Sequence, residues 1–115
     1  MIIKTSLVKI LSLGFANGIC LYPFVLIRKE VELTDQLLTH EKIHLKQQLE
    51  TLIIPFYLLY FVEFLVRILQ YGNFEKAYHN ISFEREAYFY ESHTDYLNYR
   101  KRFAWTGFLG QAVPR

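Results

Sequence analysis

The chain has 115 residues and a formal net charge of +2; 52% of it is hydrophobic, 17% aromatic and 21% charged. That much apolar surface must be buried, which excludes disorder, and the 5 Gly and 3 Pro exclude a collagen-like or low-complexity chain. A lone cysteine, Cys20, excludes a disulfide scaffold and a cysteine-rich zinc finger, and the balanced charge offers no basic face for nucleic acid.

Residues 1–16 fit a short helix or a strand equally well, with Asn17-Gly18 as a turn signal. Lys4 and Lys9 precede an apolar stretch, 10–27, but Asn17, Gly18 and Pro23 interrupt it and no clean small-x-small cleavage site follows. No signal peptide is therefore expected, and the expected location is the cytoplasm, with membrane association left open. Cys20 reads as a small buried hydrophobe. Residues 19–27 are rich in β-branched and aromatic side chains and predict a strand, with Pro23 marking an edge or a bulge.

Thr34 or Asp35 can cap a helix that begins near Gln36. Leu38, Leu45, Leu49 and Leu52 recur at helical spacing and mark one face. Pro55 stops or kinks this helix. A second helix, roughly 56–70, is apolar on nearly all sides and ends at Gly72-Asn73. Glu63 and Arg67, four residues apart, can pair on it, and either charge alone would be costly at the centre of a bilayer. A buried or interfacial helix is the expectation, lying between two functional helices and packing them together. Residues 74–80 predict a short helix or turn, Ser82 can cap a last long helix over roughly 83–100, and the tail from Phe103 looks irregular. Arg100-Lys101-Arg102 beside Phe103 and Trp105 has the makings of an interfacial anchor.

The chemistry concentrates in His40-Glu41-Lys42-Ile43-His44, an HExxH sequence inside the first predicted long helix. At about 100° per residue the two imidazoles lie one turn apart on one face and can grip a single ion. Glu41 lies beside His40, where its carboxylate can act as general base on a water held by zinc. Zinc needs a third protein ligand. The pattern HExxHxxGxxH is rejected, because Gln47 and Glu50 stand where it needs Gly and His, and Glu50 falls about 120° around the helix from His44. The ligand must then come from a later element, among Glu63, Glu75, Glu84, Glu86, Glu91, His79, His93 and Asp95. Glu84 is preferred, because it shares a face with the small Ala87, which lets two helices approach closely. Glu86 is the alternative, and the two carboxylates lie about 200° apart, so only one faces the metal. Tyr88, His79, Arg85, His93 and Tyr96 are candidate oxyanion donors. Gln48, four residues after His44, is a candidate to orient that ligand.

On these residues the chain resembles the gluzincin metallopeptidases, in which HExxH supplies two ligands and the base and a Glu on a later helix supplies the third. Many gluzincins carry Asp four residues after that Glu, bonded to a ligand histidine; here Tyr88 occupies the place. From about Gly18 onward it also resembles small HExxH proteins of Bacteroidetes-type bacteria, through His-Glu-x-Ile-His-x-x-Gln-Gln (40–48), Pro-Phe-Tyr (55–57) and Asn-Ile-Ser-Phe-Glu-Arg-Glu-Ala-Tyr (80–88). The resemblance implies a zinc site and, by analogy with zincins, an edge strand over 19–27 that lines a cleft for extended substrate.

The expectation is one minimal zincin-like domain over 1–115, α+β but mainly α, with a short edge strand or hairpin and three to four helices. Its function would be zinc-dependent hydrolysis of a peptide or protein, with His40, His44 and Glu84 as ligands. The rivals are a non-catalytic zinc protein and a membrane-associated structural or assembly protein in which HExxH is incidental. No nucleic-acid partner is expected, while membrane-surface association and a homodimer stay open.

Overall fold

The structure, a computed structural model, describes residues 2–11 and 17–110. The N-terminal segment is strand and helix in succession: β1 (Ile2–Thr5), then α1 (Leu7–Leu11), with Thr5 Oγ1 accepting the Leu7 N–H at the junction (3.2 Å). Residues 12–16 lie outside the described residues. The strand expected over 19–27 is a hairpin, β2 (Gly18–Leu21) and β3 (Phe24–Arg28). Tyr22-Pro23, joined by a cis bond, forms its turn, which places proline where no ladder needs its missing N–H. The sheet order is β1-β3-β2, with β3 parallel to β1 and antiparallel to β2. The central strand buries Val25, Leu26 and Ile27.

Helix α2 (Asp35–Glu50) starts where Thr34 Oγ1 accepts the Leu37 N–H (3.1 Å). The leucine stripe is not its core face. Leu38 and Leu45 are half-buried and Leu49 and Leu52 exposed, while Thr39, His40, Glu41, Ile43, His44, Gln47 and Gln48 are buried. A polar face goes inside only when its groups find partners there, and these do. Leu52 (φ 63°) and the β-branched Ile53 (φ 66°) then turn the chain through the left-handed region, which such residues rarely adopt.

Helix α3 (Ile54–Tyr71) carries Pro55 in its first turn and ends on Gly72, whose φ of 63° suits the left-handed cap. It is less of a packing element than expected, since only Phe56 and Arg67 are buried along it. By length and composition it is apolar enough to cross a membrane. Helix α4 (Phe74–His79) is capped by Asn73, whose Oδ1 accepts the Lys76 N–H (2.9 Å).

The last helix, α5 (Ser82–Tyr90), is much shorter than the span expected over 83–100. A helix continued to Arg100 would place it 14 residues, about 21 Å, from Glu86. Instead the chain turns back through a 3-10 segment (Tyr96–Asn98), stacks Tyr96 on Tyr90 (centroids 3.8 Å apart) and returns Arg100 to Glu86. Ser82 does not cap α5; its hydroxyl donates to Glu63 Oε1 (2.6 Å). A second 3-10 segment (Ala104–Phe108) is tied down by Arg85, whose Nη1 donates to Phe108 O (2.6 Å). The whole is α+β and mainly helical, 59% helix and 13% strand, with five α-helices among the described residues.

Candidate metal centre

Two helices meet at the HExxH face. Ala87 of α5 is fully buried against Ile43 of α2, and the missing bulk lets the helices close on each other. This brings His40, His44 and Glu84 together, all about 95% buried. Glu84 Oε1 lies 3.2 Å from His40 Nε2 and 3.1 Å from His44 Nε2, and the two Nε2 atoms are 3.2 Å apart.

The outer partners decide which ring nitrogen is free. Gln47 Nε2 donates to Phe83 O and to Glu86 Oε1 (3.0 Å each), so its Oε1 must face His44 Nδ1 (2.8 Å), which therefore carries the proton. His40 Nδ1 donates to Glu91 Oε1 (2.8 Å), and Gln36 Nε2 holds the other oxygen of Glu91. Tyr60 O–H, from α3, donates to Glu84 Oε2 (2.6 Å) and leaves Oε1 for the histidines. In neutral imidazoles both Nε2 atoms then present lone pairs, and they converge with a carboxylate oxygen within 3.2 Å. Three acceptors this close require a positive charge among them. Two imidazoles and one carboxylate oxygen, each oriented by a second group, are the donor set that zinc takes, and the residues fit it.

The electrostatics agree. Burial alone would pull the His40 pKa down, but hydrogen bonds to Glu84 and Glu91 and the nearby carboxylates raise it to about 10. His44 is raised too, the Glu84 charge overcoming burial. Burial pushes the Glu84 carboxyl up, but His44 and His40 outweigh it and hold it well below the usual carboxylate range. The cluster holds cationic charge strongly, and protons compete with any metal for it.

Glu41 is also buried, its Oε2 3.8 Å from His40 Nε2. Burial raises its pKa, as suits a base. Cys20 of β2 packs beside it, with Sγ 2.9 Å from Glu41 O and 3.4 Å from Glu41 Oε1. Gly18 of the same strand leaves the room that the carboxylate occupies, because a Cβ there would stand 2.9 Å from Glu41 Cδ.

Glu86 points away from the site. It is fully buried and accepts from Gln47 Nε2, Tyr96 O–H (2.7 Å), Arg100 Nε (2.5 Å) and Arg100 Nη2 (3.0 Å). Gln48 does not orient His44. Its Nε2 donates to Cys20 O (2.8 Å) and its Oε1 accepts the Tyr22 N–H (3.0 Å), so it clamps the hairpin to α2 and covers part of the outer edge of β2. Tyr88 sets its ring against His40 (centroids 4.4 Å apart), and His79 lies one ring further out, 4.7 Å from Tyr88. Gln47, Glu91 and Tyr60 were missed in these roles. Gln47 stands three residues after His44 and Glu91 seven after Glu84, both on the faces of their ligands, and these spacings are readable in the sequence; nothing local marks Tyr60.

No known protein family matches the chain, and neither the curated proteins nor the solved structures include one significantly similar to it.

Proposed function

We propose that the protein is a zinc-dependent hydrolase acting on a peptide or amide bond, with His40, His44 and Glu84 holding the ion and Glu41 as general base. The observation that carries the reading is the convergence of His40 Nε2, His44 Nε2 and Glu84 Oε1 with each imidazole Nδ1 already bonded elsewhere. The resemblance to gluzincins in the HExxH and Glu84-x-x-Ala87 pattern supports it. When bound, zinc would polarise a substrate carbonyl and acidify a water. The rest belongs to the chain. Glu41, raised by burial and next to His40, takes the proton of the attacking water and passes it to the departing amine nitrogen. Glu91 and Gln47 keep the two imidazoles in the tautomer that frees Nε2, and Tyr60 keeps Glu84 turned to present one oxygen.

A second reading, a non-catalytic zinc centre that ties α2 to α5, is favoured by one observation: His40, Glu41, His44 and Glu84 are all at most 5% exposed, so substrate would have to displace protein to reach them. Metal analysis comes first. One zinc per chain in the wild type and none in His44→Ala is expected, and zinc-free wild type at neutral pH would end both readings. Hydrolysis of a peptide library that disappears in Glu41→Gln at unchanged zinc content supports the hydrolase. Zinc without hydrolysis in either protein leaves the structural centre.

A further inference from the structure

We propose that α3 seats the protein on the surface of a bilayer with anionic headgroups. The helix is nearly all apolar, yet Ile54, Leu58, Phe61, Val62, Leu65 and Leu69 are between 47% and 88% exposed. At about 100° per residue these six lie within about 100°, and Tyr57, Leu59 and Val66, between 36% and 44% exposed, widen the exposed apolar arc to about 200° of the circumference, whereas a helix packed on one protein partner needs a stripe of about 100°. A second copy of the chain, laid along α3, would leave about half of that arc in water. A fluid apolar medium covers all of it.

The two charges that count against lipid contact in the sequence are both turned inward. Arg67 Nη2 donates to Glu63 Oε2 (2.9 Å) and to Leu109 O (3.1 Å), and Glu63 accepts from the Ser82 N–H (2.7 Å) and hydroxyl. The outward arc carries no charged residue. At the N-terminal end of α3, an open hollow groups exposed Lys46, Arg102 and Phe103 with Leu49 and Leu52. Glu50 and Arg100 also line it and are paired with each other (2.6 Å), Arg100 being shared with the buried Glu86. Exposed cations and an aromatic ring at the end of a lipid-facing helix match the headgroup layer, and the cations choose anionic lipid. Because the inward arc of α3 is committed to the protein, the helix lies in the interface and does not cross it.

Flotation of the purified full chain with vesicles tests this, using phosphatidylcholine alone and phosphatidylcholine mixed with phosphatidylglycerol. Wild type is expected on both and, at low salt, about 25-fold more on the mixed vesicles, roughly five-fold for each of Lys46 and Arg102. Lys46→Glu with Arg102→Glu removes that preference. Leu58→Glu with Leu65→Glu, at exposed positions and with unchanged circular dichroism, lowers binding at least about 100-fold. Wild type that stays unbound with both vesicles overturns the proposal. So does a Leu58→Glu, Leu65→Glu variant that floats like wild type, and so does a solution dimer that this variant splits into monomers.

Discussion

Glu84 and Glu86 are two residues apart and both buried, yet their roles separate cleanly. Glu86→Gln replaces one carboxylate oxygen by an NH2 group, which confronts two of the four donors from Gln47, Tyr96 and Arg100 with another N–H, since each oxygen accepts two of them. Breaking a buried ion pair costs about 3–5 kcal/mol. Arg100 keeps Glu50, at 2.6 and 3.1 Å, so the expected loss is at the lower end, about 3 kcal/mol. For a domain of this size that lowers Tm by about 12 °C. The Glu86→Gln protein should still bind one zinc below its Tm. Glu84→Gln should bind zinc more than about 100-fold weaker, beyond what removal of an outer partner does. Calorimetry and competition with a chromophoric chelator read the two effects. A Glu86→Gln protein that melts like wild type and loses zinc as Glu84→Gln does would refute this assignment of the carboxylates.

Gly18→Ala puts a Cβ 2.9 Å from Glu41 Cδ, where ordinary contact begins at 3.4 Å. It should cost about 1–3 kcal/mol in urea unfolding and leave zinc content unchanged, because it presses on the base and not on the ligands. Glu91→Gln takes the anionic acceptor from His40 Nδ1–H and should weaken zinc binding by about 10- to 100-fold in the same chelator competition. The pH response of the metal-free protein follows from the shifts. The raised His40 pKa contributes stability that is fully present below its unfolded value of 6.5 and is lost as pH rises through about 10. The lowered Glu84 pKa contributes stability present above 4.5 and lost as pH falls below it. Thermal melts in EDTA should therefore be highest between these two unfolded values, and the gain from added zinc should widen as pH rises toward 10 and protons compete less. Burial, with the Glu41 charge, pushes the Cys20 thiol up, so native protein should resist iodoacetamide at pH 8 while urea-unfolded protein reacts fully.

The HExxH helix was readable, since it rests on angles around a helix that neighbouring residues do not alter, and the placement of Glu84 beside the two histidines followed from the small Ala87 on its face. The core face of α2 was not. Its leucines and its polar residues both repeat at helical spacing, and composition favours the leucines; the polar face goes inside because Glu84, Glu86, Glu91 and the carbonyls of Cys20 and Phe83 wait there. The end of α5 was hidden for a similar reason. No proline or glycine stands between Tyr90 and Arg100, and the break follows from the pull of Glu86 on Tyr96 and Arg100. Gln47 and Gln48 are adjacent glutamines one turn beyond His44, and only the packed structure tells which one reaches the imidazole.

The run His44–Gln47–Glu86–Arg100–Glu50 links the metal centre to the segment after α5 by an unbroken row of hydrogen bonds. The far end of that row is carried by residues that look dispensable in a linear reading, beyond the last helix and rich in surface charge. They are not a tail that can be trimmed. A chain cut before Arg100 would strand Glu86 as a buried anion and loosen the amide that aims His44, so damage at the C-terminal end would surface as a defect in metal retention some 50 positions upstream.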